Sequence, residues 1–124
     1  MKLLLDTQIV IWWFINSPKL KASVTESIEK NLCLLSTASI WEVAIKYRLG
    51  KIAISPARFR DEFLNAGGQL LGINDKHVIQ TAELPDIHQD PFDRLIIAQA
   101  TLEGLSVLTA DRIWSKYDIP VIQV

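Results

Sequence analysis

Leu3-Leu4-Leu5-Asp6-Thr7, taken with Ser106-Val107-Leu108-Thr109-Ala110-Asp111 near the other end of the chain, decides the fold. The three leucines show no apolar/polar alternation, so the strand they form is buried on both faces, as in a parallel sheet covered by helices on both sides. Asp6 ends that strand and helical-period sequence follows from Thr7 to Ile15. Ser106 to Thr109 repeats the arrangement, a short apolar strand with Asp111 just beyond its end.

Between these anchors, short apolar runs alternate with helical segments. Helices are predicted over Ala22–Lys30, Thr37–Leu49, Pro56–Ala66, Asn74 or Asp75 to Leu84, and Pro91–Glu103, and strands over Leu32–Leu35 and Gln69–Ile73, with a last apolar piece at Val121–Val124 after Pro120. Gly50, Gly67-Gly68 and Gly104 sit where helices should stop, and Pro56 and Pro91 where they should start. Such alternation predicts a three-layer α/β/α sandwich with a mostly parallel central sheet. No internal repeat, low-complexity tract or long linker interrupts it, and 124 residues suit one domain over 1–124.

Composition excludes several function classes. Apolar residues make up 49% and charged residues 22% of the chain, close to a packed globular domain and far from disorder. A net charge of −1 provides no global field for nucleic acid or membrane, yet residues 1–62 carry nine Lys/Arg and six Asp/Glu, whereas residues 63–124 carry four and eight. Cys33 is the only cysteine, which excludes an intrachain disulfide or a CxxC zinc site and fits a reducing cytoplasm. The apolar run Ile9–Ile15 is too short for a bilayer and Asp6 interrupts any signal-peptide pattern, so neither membrane insertion nor export is expected.

The carboxylates carry the chemistry. Asp6 and Asp111 end strands, Glu42 lies one turn into a helix, and Asp90 and Asp93 begin the apolar helix. Each has a local explanation: Asp6 and Asp111 as helix caps, Ser39 to Glu42 as a capping box, and Asp90, Pro91 and Asp93 as Ncap, N1 and N3. Together they say more, because in an open parallel sheet the C-terminal strand ends face one crevice. Two carboxylates roughly 5 Å apart repel by about 3 kcal/mol at an effective dielectric of about 20, a cost that a bound divalent cation removes. Oxygen-only donors suit Mg²⁺ or Mn²⁺, and such an ion acidifies water and neutralises a phosphodiester, pointing to phosphate-ester chemistry.

Four motifs, LLLDT (Leu3–Thr7), SIWEVAIK (Ser39–Lys46), DPFDRLIIAQA (Asp90–Ala100) and VLTAD (Val107–Asp111), resemble in order and spacing the acidic motifs of PIN-domain ribonucleases, most of all VapC-type toxins of toxin-antitoxin pairs. The resemblance implies a Mg²⁺- or Mn²⁺-dependent endoribonuclease that hydrolyses RNA with a metal-activated water, a cognate antitoxin and a homodimer. It also implies an acidic constellation of Asp6, Glu42, Asp93 and Asp111, with Asp6 and Asp93 the foremost metal ligands. Asp90 falls mainly to the cap, with a supporting role behind the ligands. The alternatives are a non-cleaving RNA- or protein-binding module on the same fold, and a phosphoryl-transfer enzyme with Asp6 as nucleophile; Gln8, an amide where the latter wants a second acid, weighs against it.

Other residues divide between two readings. Thr7 and Thr109 either orient carboxylates or bond locally to backbone. Lys46, Arg48, Lys51, Arg58 and Arg60 form either a track for RNA phosphates or a solvated face diluted by Asp61 and Glu62; Arg94 either touches phosphate or pairs with a nearby acid. Trp12, Trp13 and Phe14 cannot share one helix face, which favours an interface over core filling. Trp41 and Trp114 read as packing residues, and His77 and His88, without a ligand-spaced partner, as structural.

Overall fold

Every strand in the computed structural model, which describes residues 1–124, runs parallel to its neighbours. The chain passes through β1 (Lys2–Leu5), α1 (Thr7–Phe14), α2 (Ala22–Lys30), β2 (Leu32–Ser36), α3 (Thr37–Arg48), α4 (Pro56–Asn65), β3 (Gln69–Leu71), α5 (Asp75–Gln80), α6 (Pro91–Glu103), β4 (Ser106–Thr109) and β5 (Val121–Gln123). Short 3₁₀ turns at Thr81–Glu83 and Arg112–Lys116 complete it. The sheet order is β3-β2-β1-β4-β5. Consecutive strands step outward from β1 to β3, and the chain then returns to the other side of β1 to lay down β4 and β5.

The two-residue period of a strand sorts its side chains between two layers. Leu3, Leu5, Cys33, Leu35 and Leu108 pack with Ile9, Val10, Ile28, Val43, Phe59 and Phe63 from α1 to α4. Leu4, Leu34 and Val107 pack on the opposite face with Ile96, Ile97 and Ala100 of α6 and with Trp114 and Tyr117. Each leucine of β1 is fully buried, which removes it from water at a gain of roughly 1.5–3 kcal/mol. This is the predicted α/β/α sandwich, and it explains why β1 cannot alternate with polar residues.

Local signals set most boundaries. The Ser36 and Ser55 hydroxyls cap α3 and α4, and Asn74 and His77 form a reciprocal capping box on α5. Gly104, at φ +64°, adopts the left-handed conformation that closes α6. Two expectations shift: the strand predicted to Ile73 stops at Leu71, and the helix predicted to Leu84 ends at Gln80 before a 3₁₀ turn. The aromatic cluster also resolves toward the core. Trp12, Trp13 and Phe14 are all half-buried against the first layer, with Trp13 edge-on to Phe63 and Phe14 edge-on to Phe59.

Gly68 leads into β3 beneath the fully buried Phe63 ring, and a Cβ there would meet that ring well inside van der Waals contact. Gly72, just past β3, faces open space. Gly68→Ala is therefore expected to destabilise the protein by about 1–3 kcal/mol, whereas Gly72→Ala stays within about 0.5 kcal/mol. Urea titration of the two variants beside the parent checks the difference; equal midpoints would contradict the packing described.

Candidate active site

The return of the chain across β1 creates a topological switch point between β1 and β4, where helices leave the sheet in opposite directions and open a crevice beyond the strand ends. Asp6 follows β1 and Asp111 follows β4, so both stand at the mouth of this crevice. A pocket of about 370 Å³ occupies it, lined by Asp6, Thr7, Gln8, Ile11, Glu42, Lys46, Asp90, Asp93, Ala110 and Asp111. All four acids of the expected constellation, and Asp90 with them, converge there from four separate stretches of chain.

The local explanations can now be tested against each side chain. Asp6 stands at the N-cap of α1 but makes no capping hydrogen bond; its Oδ2 accepts instead from the Thr109 hydroxyl at 2.8 Å. Glu42 is in no capping box, because α3 begins at Thr37 with Ser36 as its cap, and its carboxylate accepts from Lys46 Nζ at 2.9 Å. Asp90 does cap α6, accepting from the Asp93 amide at 3.0 Å, and Asp111 accepts from the Ile113 amide at 3.0 Å while still lining the pocket. Asp93 takes its side-chain contact from His88 Nε2 at 3.2 Å. Capping thus accounts for Asp90 and part of Asp111, and for neither Asp6, Glu42 nor Asp93.

Electrostatics mark two of these three, Asp6 and Asp93. Asp6 is only 8% exposed; burial pushes its carboxyl up from 3.8 to about 7, with further upward pressure from Asp93, Glu42 and Asp111 and partial relief from the Thr109 hydroxyl. Burial and then Asp90 push Asp93 up to about 6, opposed by His88 and by the indole of Trp114. That indole N–H is buried and makes no well-formed hydrogen bond, so its pull on Asp93 is the weaker of the two. Lys46 is held protonated chiefly by its hydrogen bond to Glu42 and also by Asp90 and Asp93. One lysine thus faces five carboxylates.

The threonines divide. Thr109 is buried, holds Asp6 and accepts from the Asp111 amide at 3.0 Å, tying the β4 end to both acids. Thr7 lines the pocket but donates to the Ser39 hydroxyl at 2.8 Å, linking α1 to α3. Of the basic residues, only Lys46 lines the pocket. Arg48 and Lys51 are exposed, and Arg58 and Arg60 pair with Glu62 and Asp61. Arg94 fits neither reading, RNA contact or an acid of its own helix: its guanidinium donates to the carbonyls of Thr81 and Pro85, both at 2.9 Å, and to the Tyr117 hydroxyl at 3.1 Å. A planar fork with that many fixed acceptors is a fastener, not a free phosphate ligand.

Sequence reasoning assigns Gln8 and His88 no place in the site and does not single out Ile11 or Tyr117, yet Gln8 and Ile11 line the pocket and His88 and Tyr117 stand behind Asp93. Helical spacing from Thr7, i to i+4, would have indicated Ile11, but nothing in the spacing pairs His88 with Tyr117. His77 is structural, as expected, accepting from the Asn74 amide at 3.1 Å and meeting Glu103 at 3.0 Å. Trp114 is fully buried as predicted, but Trp41 is 58% exposed and meets the edge of Phe92 at 5.0 Å. It corrects the reading of that residue as core.

Comparison with known proteins agrees with this architecture. VapBC2 from Rickettsia felis, in a structure bound to a DNA fragment from its promoter, is similar at a TM-score of 0.76 and 17% identity, covering 99% of this chain and 98% of that one. DNA-bound VapBC from Salmonella typhimurium gives 0.72 and 20% identity over 99% and 98% of the two chains. FitAcB from Neisseria gonorrhoeae gives 0.67 and 21% over 98% and 96%. At these identities the likeness is one of fold. A curated protein, DNA repair protein RecO of Paracoccus denitrificans (strain Pd 1222), is 34% identical over 76 residues, which are 61% of this chain and only 30% of that protein. The PIN domain family model matches residues 3–120, from β1 to the threshold of β5, and the chain belongs to the PIN-domain family.

Proposed function

We propose that this chain is a divalent-metal-dependent endoribonuclease of the VapC type, the toxin of a toxin-antitoxin pair, which hydrolyses RNA phosphodiester bonds. The observation that carries the reading is the convergence of Asp6, Glu42, Asp93 and Asp111 on one crevice, with Asp6 buried and free of any capping role. The donor set fits a hard ion, Mg²⁺ or Mn²⁺. No three acidic, histidine or cysteine side chains sit close enough to hold an ion among themselves, so a bound cation would complete its coordination with water.

Asp6 and Asp93 are the residues that would hold the ion, with Glu42 and Asp111 completing the site and Asp90, Thr7 and Thr109 supporting it. When bound, a divalent cation acidifies a water and neutralises charge on the phosphodiester. The chain's own groups supply the rest. Thr109 fixes one Asp6 oxygen, and Glu42, which lines the same pocket, would orient the attacking water. Lys46, kept charged by Glu42, presents the positive end of the pocket to the RNA backbone. Arg48 and Lys51 extend that charge along the end of α3; the exposed pairs of Arg58 and Arg60 are worth little and yield readily to phosphate.

A cognate antitoxin and a homodimer belong to the same reading, the antitoxin supported by the VapBC complexes of similar fold. Trp41, Ile45 and Leu49 form an exposed apolar stripe at i, i+4, i+8 along α3, a surface suited to a protein partner. No helix is long and apolar enough to cross a membrane.

Two experiments test the reading. RNA incubated with the purified chain is expected to be cut in Mg²⁺ or Mn²⁺ and spared with chelator, and Asp93→Asn to lower the rate by at least about 100-fold. Equal rates for the two proteins would refute the role given to Asp93, and RNA binding with no metal-dependent product would favour a non-cleaving module. The second concerns pH. Because the folded state raises Asp6 and Asp93, it binds their protons more tightly than the unfolded chain does, so metal-free stability should fall as pH rises from near 3.8 to about 7. Asp6→Asn is expected to flatten this slope and raise the metal-free melting temperature at pH 8, while Mn²⁺ stabilises the parent more at pH 8 than at pH 5. Melting curves across pH decide it; an unchanged slope in the variant would contradict the electrostatic account.

A further inference from the structure

The Asp93 carboxylate is the end of a hydrogen-bonded chain that starts at the next residue of α6. Neighbouring helical positions point about 100° apart, so Asp93 faces the pocket while Arg94 turns to the loop behind it. Arg94 can only donate, so its 3.1 Å contact makes the Tyr117 oxygen an acceptor. The Tyr117 proton is then free for His88 Nδ1, 2.6 Å away. In the neutral ring this places the histidine proton on Nε2, which donates to Asp93 Oδ2 at 3.2 Å. Arg94, which only donates, and the ionised Asp93, which only accepts, fix the direction of the links between them while the ring is neutral.

We infer that His88 is a positioning residue of the site, oriented by Tyr117 and Arg94 so that it fixes the Asp93 carboxylate before any cation arrives; the inference rests on the metal-dependent reading above. Three segments meet in this device. His88 lies in the loop after the 3₁₀ turn, and Arg94 clamps that loop through the carbonyls of Thr81, Leu84, Pro85 and His88. Tyr117 comes from the segment before β5 and is 4% exposed, with its ring edge-on to His88 at 5.4 Å. His88 occupies Oδ2 and leaves Oδ1 for the ligand. A partner of this kind typically changes metal affinity by about 10- to 100-fold, because a carboxylate already held in place gives up less freedom on binding.

Calorimetric Mn²⁺ titration at pH 8, with no RNA present, tests the inference together with melting temperatures. His88→Leu is expected to weaken Mn²⁺ binding about 10- to 100-fold. Tyr117→Phe, which keeps the ring and the carbonyl contacts of Arg94, should weaken it about threefold to tenfold with little change in melting temperature. His88→Gln should recover most of the affinity, since its amide nitrogen lies as many bonds from the backbone as Nε2 and can donate to Oδ2. Should His88→Leu fail to fold, Tyr117→Phe and His88→Gln decide alone. Parental Mn²⁺ affinity in folded Tyr117→Phe, or His88→Gln no better than a folded His88→Leu, would overturn the inference and leave the metal site standing. No Mn²⁺ uptake by the parent would overturn the functional reading and the inference with it.

Discussion

Carboxylates held together out of water repel one another, and a fold that gathers five of them at one crevice has to balance that repulsion. In this protein the balance is partial. Thr109 donates to Asp6, Lys46 to Glu42 and His88 to Asp93, yet Asp6 is still pushed up to about 7 and Asp93 to about 6. Stability lost to such a cluster is kept where function needs the charge. The sheet order fixes where the cluster forms, because only the gap between β1 and β4 lets strand ends, and the helices leaving them, open onto the same space.

Much of this was legible in the sequence, for physical reasons. Leu3-Leu4-Leu5 without alternation requires a strand covered on both faces, and Pro91 and Gly104 bracket α6 through the geometry each residue permits. The resemblance of four acidic motifs to PIN domains identified the residues that the fold brings together, and the family match over 3–120 bears out the family. Boundaries slipped where the signals were weak. Gly72 and Ile73 continue the apolar character of β3 but make no ladder, and α5 gives way to a 3₁₀ turn at Thr81, whose carbonyl accepts from Arg94 of the next helix.

What stayed hidden depends on partners that are distant in sequence. Arg94 looked like a phosphate ligand because its charge is visible in one dimension, whereas its acceptors, carbonyls of a loop preceding its own helix, are not. His88 had no ligand-spaced partner and read as structural, although it touches the acid five residues on and is locked by Tyr117. Trp41 lies two residues from buried Val43 and so on the opposite, outer face of α3, where Phe92 covers only part of it. The aromatic run at Trp12–Phe14 read as an interface because it cannot fit one helix face, yet Phe59 and Phe63 of α4 reach across to cover much of it.

The central claim is that the crevice at the β1/β4 switch point is a cation site. Anomalous diffraction from crystals grown with Mn²⁺ locates the ion without reference to activity or partner. The account predicts a peak inside the pocket, within direct or single-water reach of Asp6 and Asp93. A well-ordered crystal at saturating Mn²⁺ with no peak there, or with its only peak among other residues, would contradict it.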